Sequence, residues 1–353
     1  MMITIDGIIF SLQRQGGISI YFHKLLEYLK LQRTHATLLL EHPTRQDIGG
    51  YGTRVSVIAR RARLLERYRP CRVPAGGSIF HSSYYRLPSI INMPSVVTMH
   101  DFVYERYACG PKRWVHVHQK HAAIRAAQAV ICVSEATRQD LMEFVGEIPG
   151  QAVHVIHNGV SEVFRPLSLA PVPAPYVLYV GERQGYKNFT RLLAAMEFLP
   201  DLELYCVGGG DLRVEELAAA PAFAQHRIRH LGFVTDEALN EHYNRAFCLV
   251  YPSSYEGFGI PVVEAMRAGC PVVSTRCKAV LEVGSDALTV AADADPRAFA
   301  DAVLRLNNAE YRNQVVSAGF EISRRFSWDR THEGTLDVYR SLGASLNSSC
   351  LTH

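Results

Sequence analysis

The sequence predicts an α/β protein made of two doubly wound units, each a parallel sheet with helices on both faces. Three observations carry this expectation. Short β-branched runs alternate with longer helical patterns along most of the chain, as parallel strands joined by crossover helices require. The 353 residues exceed what one hydrophobic core commonly spans. Between residues 165 and 175, four prolines in eleven residues interrupt the rhythm, because each lacks the N–H that a strand or helix interior needs. These observations divide the chain into a domain over 1–164, a linker over 165–175, a second domain over 176–325 and a C-terminal helix over 326–353 that packs back toward the first domain.

In the first domain strands are expected at Ile3–Asp6, Thr37–Leu40, Val55–Ala59, Ser78–His81, Ser95–Met99, Ala129–Val133 and Val153–Ile156, with helices near 18–31, 112–127 and 135–145. After the prolines strands are expected at Tyr176–Val180, Glu203–Val207, Ile228–Leu231, Cys248–Tyr251, Pro271–Ser274 and Ala287–Val290. Two or three helices follow from Pro296 to about Leu342, and Ser345–His353 reads as a frayed end. Two open sheets joined by a linker place a cleft at their strand C-termini, where such folds bind ligands.

Composition narrows the function. With 48% hydrophobic and 20% charged residues the chain is globular, and a net charge of +3 is too small for a protein that coats nucleic acid. Eight cysteines without a CxxC pair, several inside apolar runs, fit a reducing cytosol. The opening MMITIDGIIF lacks a basic n-region, and no apolar run approaches a membrane span, so neither export nor membrane integration is expected.

The most informative segment runs from Tyr251 to Pro271. A strand ends at Tyr251, a glycine-bearing loop follows, and Pro261 stands where a first helical residue suits its fixed φ. Gly269 and Pro271 stop the helix. Gly257 and Gly259 let backbone approach a ligand, and the helix start behind them favours an anion such as a pyrophosphate. Two carboxylates flank this point, Glu256 and Glu264. Carboxylates beside a phosphate site need neutral hydroxyl donors, which sugars and ribose supply.

Glu256 and Glu264, with seven residues between them within EGFGIPVVEAMRAGCPVVST, resemble the E-x7-E signature of family 4 glycosyltransferases. GGISIYF at 16–22, VVTMHDFVYERY at 96–107, AVICVSEATRQDL at 129–141, VIHNGV at 155–160 and YVLYVGERQGYKNF at 176–189 extend the resemblance over most of the chain. It implies the GT-B fold, two facing Rossmann-like domains with an interdomain cleft, and retaining hexosyl transfer. Within the family the chain is similar to transferases of bacterial surface polysaccharides that often use GDP-mannose or a related GDP-sugar.

The resemblance assigns roles residue by residue. Arg183 and Lys187 match the basic pair that holds the donor diphosphate, and their place after a strand end agrees with charge neutralisation of that leaving group. Glu264 matches the ribose-binding carboxylate, Glu256 lies by the donor sugar, and amides around Phe258, Gly259 and Ile260 meet sugar or phosphates. His100, followed by Asp101, matches a donor-sugar contact from the first domain. Gly16 and Gly17 face donor phosphate or acceptor hydroxyl, Gly209 belongs to a loop bordering the nucleotide, and Val234 lies in the loop at 232–235 that reads the base. No metal or other cofactor is expected, since the helix start and the basic pair replace a divalent cation.

Other patterns carry less. Asp293-Ala-Asp295 has a D-x-D form, but it precedes Pro296 and reads as a helix cap. His116, His118 and His121 read as acceptor-side or surface residues rather than a zinc site. Seven arginines between Arg54 and Arg72 oppose a single acid, Glu66, and read as a basic amphipathic segment or a solvated helix face. Arg60, Arg61 and Arg63 would then touch the inner face of the cytoplasmic membrane, where a lipid-linked acceptor resides. The expected protein is a cytosolic hexosyltransferase with a GDP-sugar donor and a lipid-linked glycan acceptor. A UDP-sugar donor, an epimerase or hydrolase on the same fold, and a non-catalytic sugar-nucleotide or glycan-binding partner remain alternatives.

Overall fold

The computed structural model describes residues 2–13, 16–41, 54–170, 174–183 and 185–349. Its described residues form two compact units, one from the chain up to Gly159 together with the chain from Trp328, the other from Val160 to Ser327.

The first unit holds β1 (Ile3–Asp6), β2 (Ala36–Glu41), β3 (Val55–Arg60), β4 (Ile79–Ser82), β5 (Ser95–Met99), β6 (Ala129–Cys132) and β7 (Ala152–Val155), in the order β3-β2-β1-β4-β5-β6-β7. The second holds β8 (Tyr176–Val180), β9 (Glu203–Val207), β10 (Ile228–Gly232), β11 (Cys248–Tyr251), β12 (Val272–Ser274) and β13 (Leu288–Val290), in the order β10-β9-β8-β11-β12-β13. All neighbouring strands are parallel. Every strand matches its sequence-based expectation to within one residue at either end. The central strands β1, β4, β5 and β6 are wholly buried, as continuous apolar runs between two helical layers should be, whereas β3 and β7 at the edges are partly exposed. Strand order reverses between β1 and β4 and again between β8 and β11. At such points successive crossovers leave to opposite faces and open a crevice beyond the strand C-termini.

The helix Gly17–Leu31 buries Tyr21, Phe22, Leu25, Leu26 and Leu29 at helical spacing against the first sheet. The helix Trp328–Ser349 adds Leu336, Val338 and Tyr339 to the same core. Polar bonds fix its register: the Tyr339 phenol lies 2.5 Å from His81 Nδ1, the Thr335 and Tyr21 hydroxyls are 3.2 Å apart, and Thr331 Oγ1 donates to the His157 carbonyl at 2.7 Å. In the second unit Phe189, Leu192, Leu193 and Met196 pack on Val177, Tyr179 and Leu204.

Several expectations need revision. The unit boundary falls after Gly159, because Val160 bonds to Phe326 in the second unit. Of the proline-rich stretch, Arg165 and Leu167 are not free linker: their amides donate to the side chains of Asn240 and Asn244. Residues 171–173 lie outside the described residues. The last helix continues through Ser349, past the expected start of fraying, and 350–353 are not described. The Arg54–Arg72 segment is no amphipathic helix; it forms edge strand β3, a loop and one short helical turn, Glu66–Tyr68. His116 is not a surface residue. Its ring lies 3.8 Å from the Tyr104 ring and its Nδ1 accepts from Arg67. His118 is exposed against Trp114, and His121 donates to Glu105. Asp295 caps the helix Pro296–Arg305, accepting from the amides of Arg297 and Ala298.

The first unit stores a sensitivity to acid. Burial lowers His81 and His332 to about 3 and His100 and His116 to about 4, so all four imidazoles are neutral in the folded chain. Below about pH 6.5 the unfolded chain takes up protons that the folded chain refuses, so stability is lost as pH falls toward these values. His332 has no hydrogen-bond partner on either nitrogen among the described residues and stacks on Trp328 at 5.4 Å. Urea unfolding at pH 7 and pH 5 should show the wild type weakening, and His332→Phe should recover about 2 kcal/mol of that loss. An equal loss in both proteins would remove His332 from the account.

Candidate active site

The second unit concentrates its polar chemistry at the reversal between β8 and β11. Two loops leave these strands, 181–188 and 252–259, and Asn188 joins them. In the left-handed conformation, at φ 52°, its amide donates to the Pro252 carbonyl at 2.8 Å and to Ser254 Oγ at 2.6 Å. Ser254 returns an amide bond to the Tyr186 carbonyl at 2.8 Å, and Thr275 Oγ1 at the end of β12 donates to the Ser253 carbonyl. Lys187 is thereby set against Glu256, with Nζ 2.5 Å from Oε1. Their side chains are only 14% and 12% exposed, so the pair is largely shielded from solvent. The Tyr251 phenol also hydrogen-bonds Glu256, and the ammonium lies 5.4 and 5.7 Å over the Tyr186 and Tyr251 rings.

The second loop runs into the helix Ile260–Ala268, which begins one residue before Pro261. Gly259 has φ 107°, a conformation that L side chains rarely adopt, and a Cβ there would lie 3.3 Å from Val280. Gly269, at φ 83°, ends the helix. Phe258 packs its ring onto Phe326, with centroids 5.6 Å apart, so this side chain anchors the loop. Glu264 accepts from the Tyr243 phenol at 3.0 Å. Its side chain keeps some surface exposure, yet protein atoms crowd the carboxyl, and burial raises it to about 8. Glu264 is therefore mostly a neutral acid at pH 7 and still able to accept from hydroxyls.

Arg183 is occupied differently from the expected phosphate ligand. Its Nη1 donates to the Gly208 carbonyl at 3.0 Å, its Nη2 to Gly210 and Asp211 at 2.9 and 2.7 Å, and its Nε to Glu216 at 3.2 Å. The guanidinium is 4% exposed and fixes the loop that follows β9 from within. Gly208, Gly209 and Gly210 all have positive φ, at 82°, 73° and 70°. A Cβ on Gly209 would stand 2.6 Å from Arg183 Nη1. Burial opposes the Glu216 charge, but hydrogen bonds from Arg213 and Arg183 prevail and hold it near 2. Gly208 donates to the Gly232 carbonyl at 2.9 Å, tying this loop to the one that carries Val234.

The remaining expected residues lie in the first unit. Gly16 caps the helix that starts at Gly17, and Tyr21 from that helix meets the His100 ring edge-on at 5.3 Å. His100 Nε2 is buried without a partner among the described residues. Asp101 Oδ1 accepts from the Val103 amide at 3.0 Å, so it serves the start of the next helix.

The structure thus brings Lys187 and Glu256 together and Arg183 onto Gly209, while no described bond joins Arg183 to Lys187, Glu256 or Glu264. Sequence reasoning missed Asn188, Glu216, Tyr243 and Tyr251. Asn188 carried a signal, an asparagine between a strand run and a helix, a place where left-handed backbone is common. Tyr243 and Tyr251 read as core aromatics, and their phenols reveal themselves only in three dimensions.

Two family models match the chain. The model described as "Glycosyltransferase Family 4" matches residues 15–163, and that described as "Glycosyl transferases group 1" matches residues 174–308. The O-antigen chain mannosyltransferase B of Escherichia coli is 28% identical over 332 residues, covering 86% of this chain and 87% of that protein. Among solved structures, sucrose-phosphate synthase from Thermosynechococcus elongatus aligns over 98% of this chain and 99% of its own, with a TM-score of 0.80 and 21% identity. HepE of Anabaena in complex with UDP-glucose aligns over 97% of this chain and 100% of its own, with a TM-score of 0.71 and 16% identity.

The grip of Arg183 on the glycine loop has a thermodynamic signature. Gly209→Ala should destabilise the chain by about 2 kcal/mol, from left-handed strain and collision with the guanidinium. In an Arg183→Ala background the same change should cost less, because the colliding atom is gone. Urea denaturation of the four-protein cycle measures this coupling, and strict additivity would show that the two residues act independently.

Proposed function

The chain belongs to the GT-B glycosyltransferases, with a family 4 domain followed by a group 1 domain, and from that premise we propose that it transfers mannose or a related deoxyhexose, with retention, from a GDP-sugar to a hydroxyl of a lipid-linked glycan in bacterial surface polysaccharide assembly. The observation that carries this reading is the contact of Lys187 with Glu256 at the β8/β11 reversal, beside the start of the helix that bears Glu264. The relation to an E. coli O-antigen mannosyltransferase supports the sugar and the pathway class. The UDP-glucose complex of HepE keeps UDP as the competing donor base.

In this reading the donor diphosphate displaces Glu256 from Lys187. The ammonium and the helix start at Gly259–Ile260 then stabilise the charge that develops as the anomeric C–O bond breaks. Glu256, released toward the sugar, accepts from its hydroxyls and supports the cationic centre. The leaving phosphate takes the acceptor proton, and the acceptor attacks the face from which the phosphate departs. No side chain is assigned as a covalent nucleophile. Arg183 is a positioning residue that holds the loop bordering the nucleotide. Glu264 accepts from the ribose. A divalent cation is not required by this charge arrangement.

Calorimetric titration of GDP and UDP in EDTA tests donor and metal together. Clear preference for GDP is expected, preference for UDP would overturn the donor, and no binding to either without a metal would overturn the metal-free site. Lys187→Ala should lower kcat by about a hundredfold or more, on the scale of losing one transition-state charge contact, and a near-normal rate would end its assignment. Glu264 gives a pH test. If ribose hydroxyls bind its carboxylate, affinity for the nucleoside diphosphate should rise with pH up to about 8 and level off above, because binding favours the ionised form over the free protein's neutral acid. Glu264→Gln should flatten that slope, and an unchanged slope would place the ribose elsewhere. Donor consumed rapidly without any acceptor would favour a hydrolase or epimerase.

A further inference from the structure

The first unit contains a closed loop at residues 60–72 that is tied together by its own arginines. Three arginine-to-carbonyl bonds tie its two limbs: Arg60 Nη1 to Arg72 at 2.6 Å, Arg72 Nη2 to Arg61 at 3.1 Å, and Arg63 Nη2 to Pro70 at 2.8 Å. Beneath it, Glu66 receives the fork of Arg63 at 2.8 and 2.7 Å and Nη1 of the buried Arg86 at 2.9 Å. A loop fixed this firmly holds out what it carries. At its apex Leu64 is 81% exposed and Leu65 63% exposed, the latter in the left-handed region at φ 58°, where a leucine is strained. Tyr68 from this loop and Trp114 from the helix Gly110–Ala126 line one recess of about 310 Å³ with largely apolar walls, and Trp114 is 72% exposed.

On the loop at 60–72 and the helix Gly110–Ala126 the exposed charges have one sign. The nearby acids are buried and paired, Glu66 with Arg63 and Arg86, and Glu105 with Lys120 and His121. Arg61 and Arg69 are exposed, and no described bond engages either guanidinium. Exposed leucines, an exposed tryptophan and free arginines, with no exposed acid on these two elements, match the boundary between headgroups and acyl chains of a negatively charged bilayer. We propose that this loop docks the protein onto an anionic lipid bilayer, with Leu64, Leu65 and Trp114 entering the interface and Arg61 and Arg69 meeting lipid phosphates. The contact is made by a rigid loop and not by the helix that composition suggested. Arg60 and Arg63, engaged inside the loop, shape the surface without forming it. Docking here does not depend on which donor or acceptor the enzyme uses.

Sedimentation of the full chain with phosphatidylglycerol-containing vesicles, beside vesicles of phosphatidylcholine alone, tests the surface. The wild type should pellet with the anionic vesicles and be released by salt. The Leu64→Ser/Leu65→Asn variant should bind about tenfold more weakly or worse, since Asn tolerates the left-handed backbone and only apolar contact is removed. Arg61→Gln/Arg69→Gln should lower partitioning by at least about tenfold at low salt. Both variants alter exposed side chains and should keep the wild-type GDP affinity and urea midpoint. Brominated lipid should quench the wild-type tryptophan emission and lose most of that effect in Trp114→Phe. Absence of wild-type binding, equal binding to neutral vesicles, or unchanged binding of both variants would overturn the proposal, and none of these would alter the donor measurements.

Discussion

The second unit's site depends on one amide. Where β8 and β11 lie side by side, the chain topology sends their following segments to opposite faces, and nothing in a parallel ladder prevents the two loops from splaying. Asn188 closes that gap by donating both to a carbonyl and to a hydroxyl of the opposite loop. With the loops pinned, Lys187 has no freedom to extend into solvent and meets Glu256. A partly buried ion pair is weak evidence of stability, since the cost of desolvating both charges offsets much of their attraction. It does create a site in which an incoming anion can take over one partner. Phosphate oxygens would keep Lys187 compensated, and Glu256 would be released at the moment hydroxyl donors arrive beside it.

Both units shape their loops with a buried arginine. In the second unit Arg183 draws the carbonyls of Gly208, Gly210 and Asp211 around its guanidinium. In the first, Arg86 lies between Asp6 at the end of β1 and Glu66 under the loop at 60–72, with Glu41 from β2 at 3.8 Å. The planar five-donor fork suits this task because it organises several acceptors at once, which an ammonium would not do with the same directionality. The difference lies in what surrounds the cation. Arg86 meets carboxylates, so its cluster is neutralised and closed. Arg183 meets mostly backbone carbonyls, and Glu216, which Arg213 shares, is the carboxylate bonded to it among the described residues.

The strands were legible because buried parallel strands must be continuous apolar runs, and the prolines and glycines between them leave little choice of boundary. Glycines 257, 259 and 269 and Pro261 were equally legible, since the backbone geometry they permit is local. What the sequence hid is the direction of side chains. Arg183 and Lys187 stand four residues apart and look like one basic pair, but a short turn at Gly185–Lys187 sends the lysine to Glu256 while the arginine reaches the adjacent strand's loop. The arginine-rich stretch from Arg54 to Arg72 looked like a charged helix face because composition does not report pairing. Arg60, Arg63 and Arg72 each close a bond within their own loop, an arrangement no periodicity records. Asp101 likewise reads as a companion of His100 and turns out to bond the backbone two residues on.

The two carboxylates of the signature are separated by seven residues and by their surroundings. Glu256 has the Lys187 ammonium at 2.5 Å. Glu264 has no cation bonded to it among the described residues, only the Tyr243 phenol, and burial raises it to about 8. Exchanging their roles would fail on electrostatic grounds. A neutral acid at 256 would leave Lys187 without compensation in the empty site, and an ionised carboxylate at 264 would stand desolvated until hydroxyl donors came. The pattern instead keeps charge where a cation already balances it and neutrality where only hydroxyls will arrive. A diphosphate can then enter beside Lys187 without a second bare carboxylate near it, and the ionisation of Glu264 becomes coupled to the donor's own hydrogen bonds.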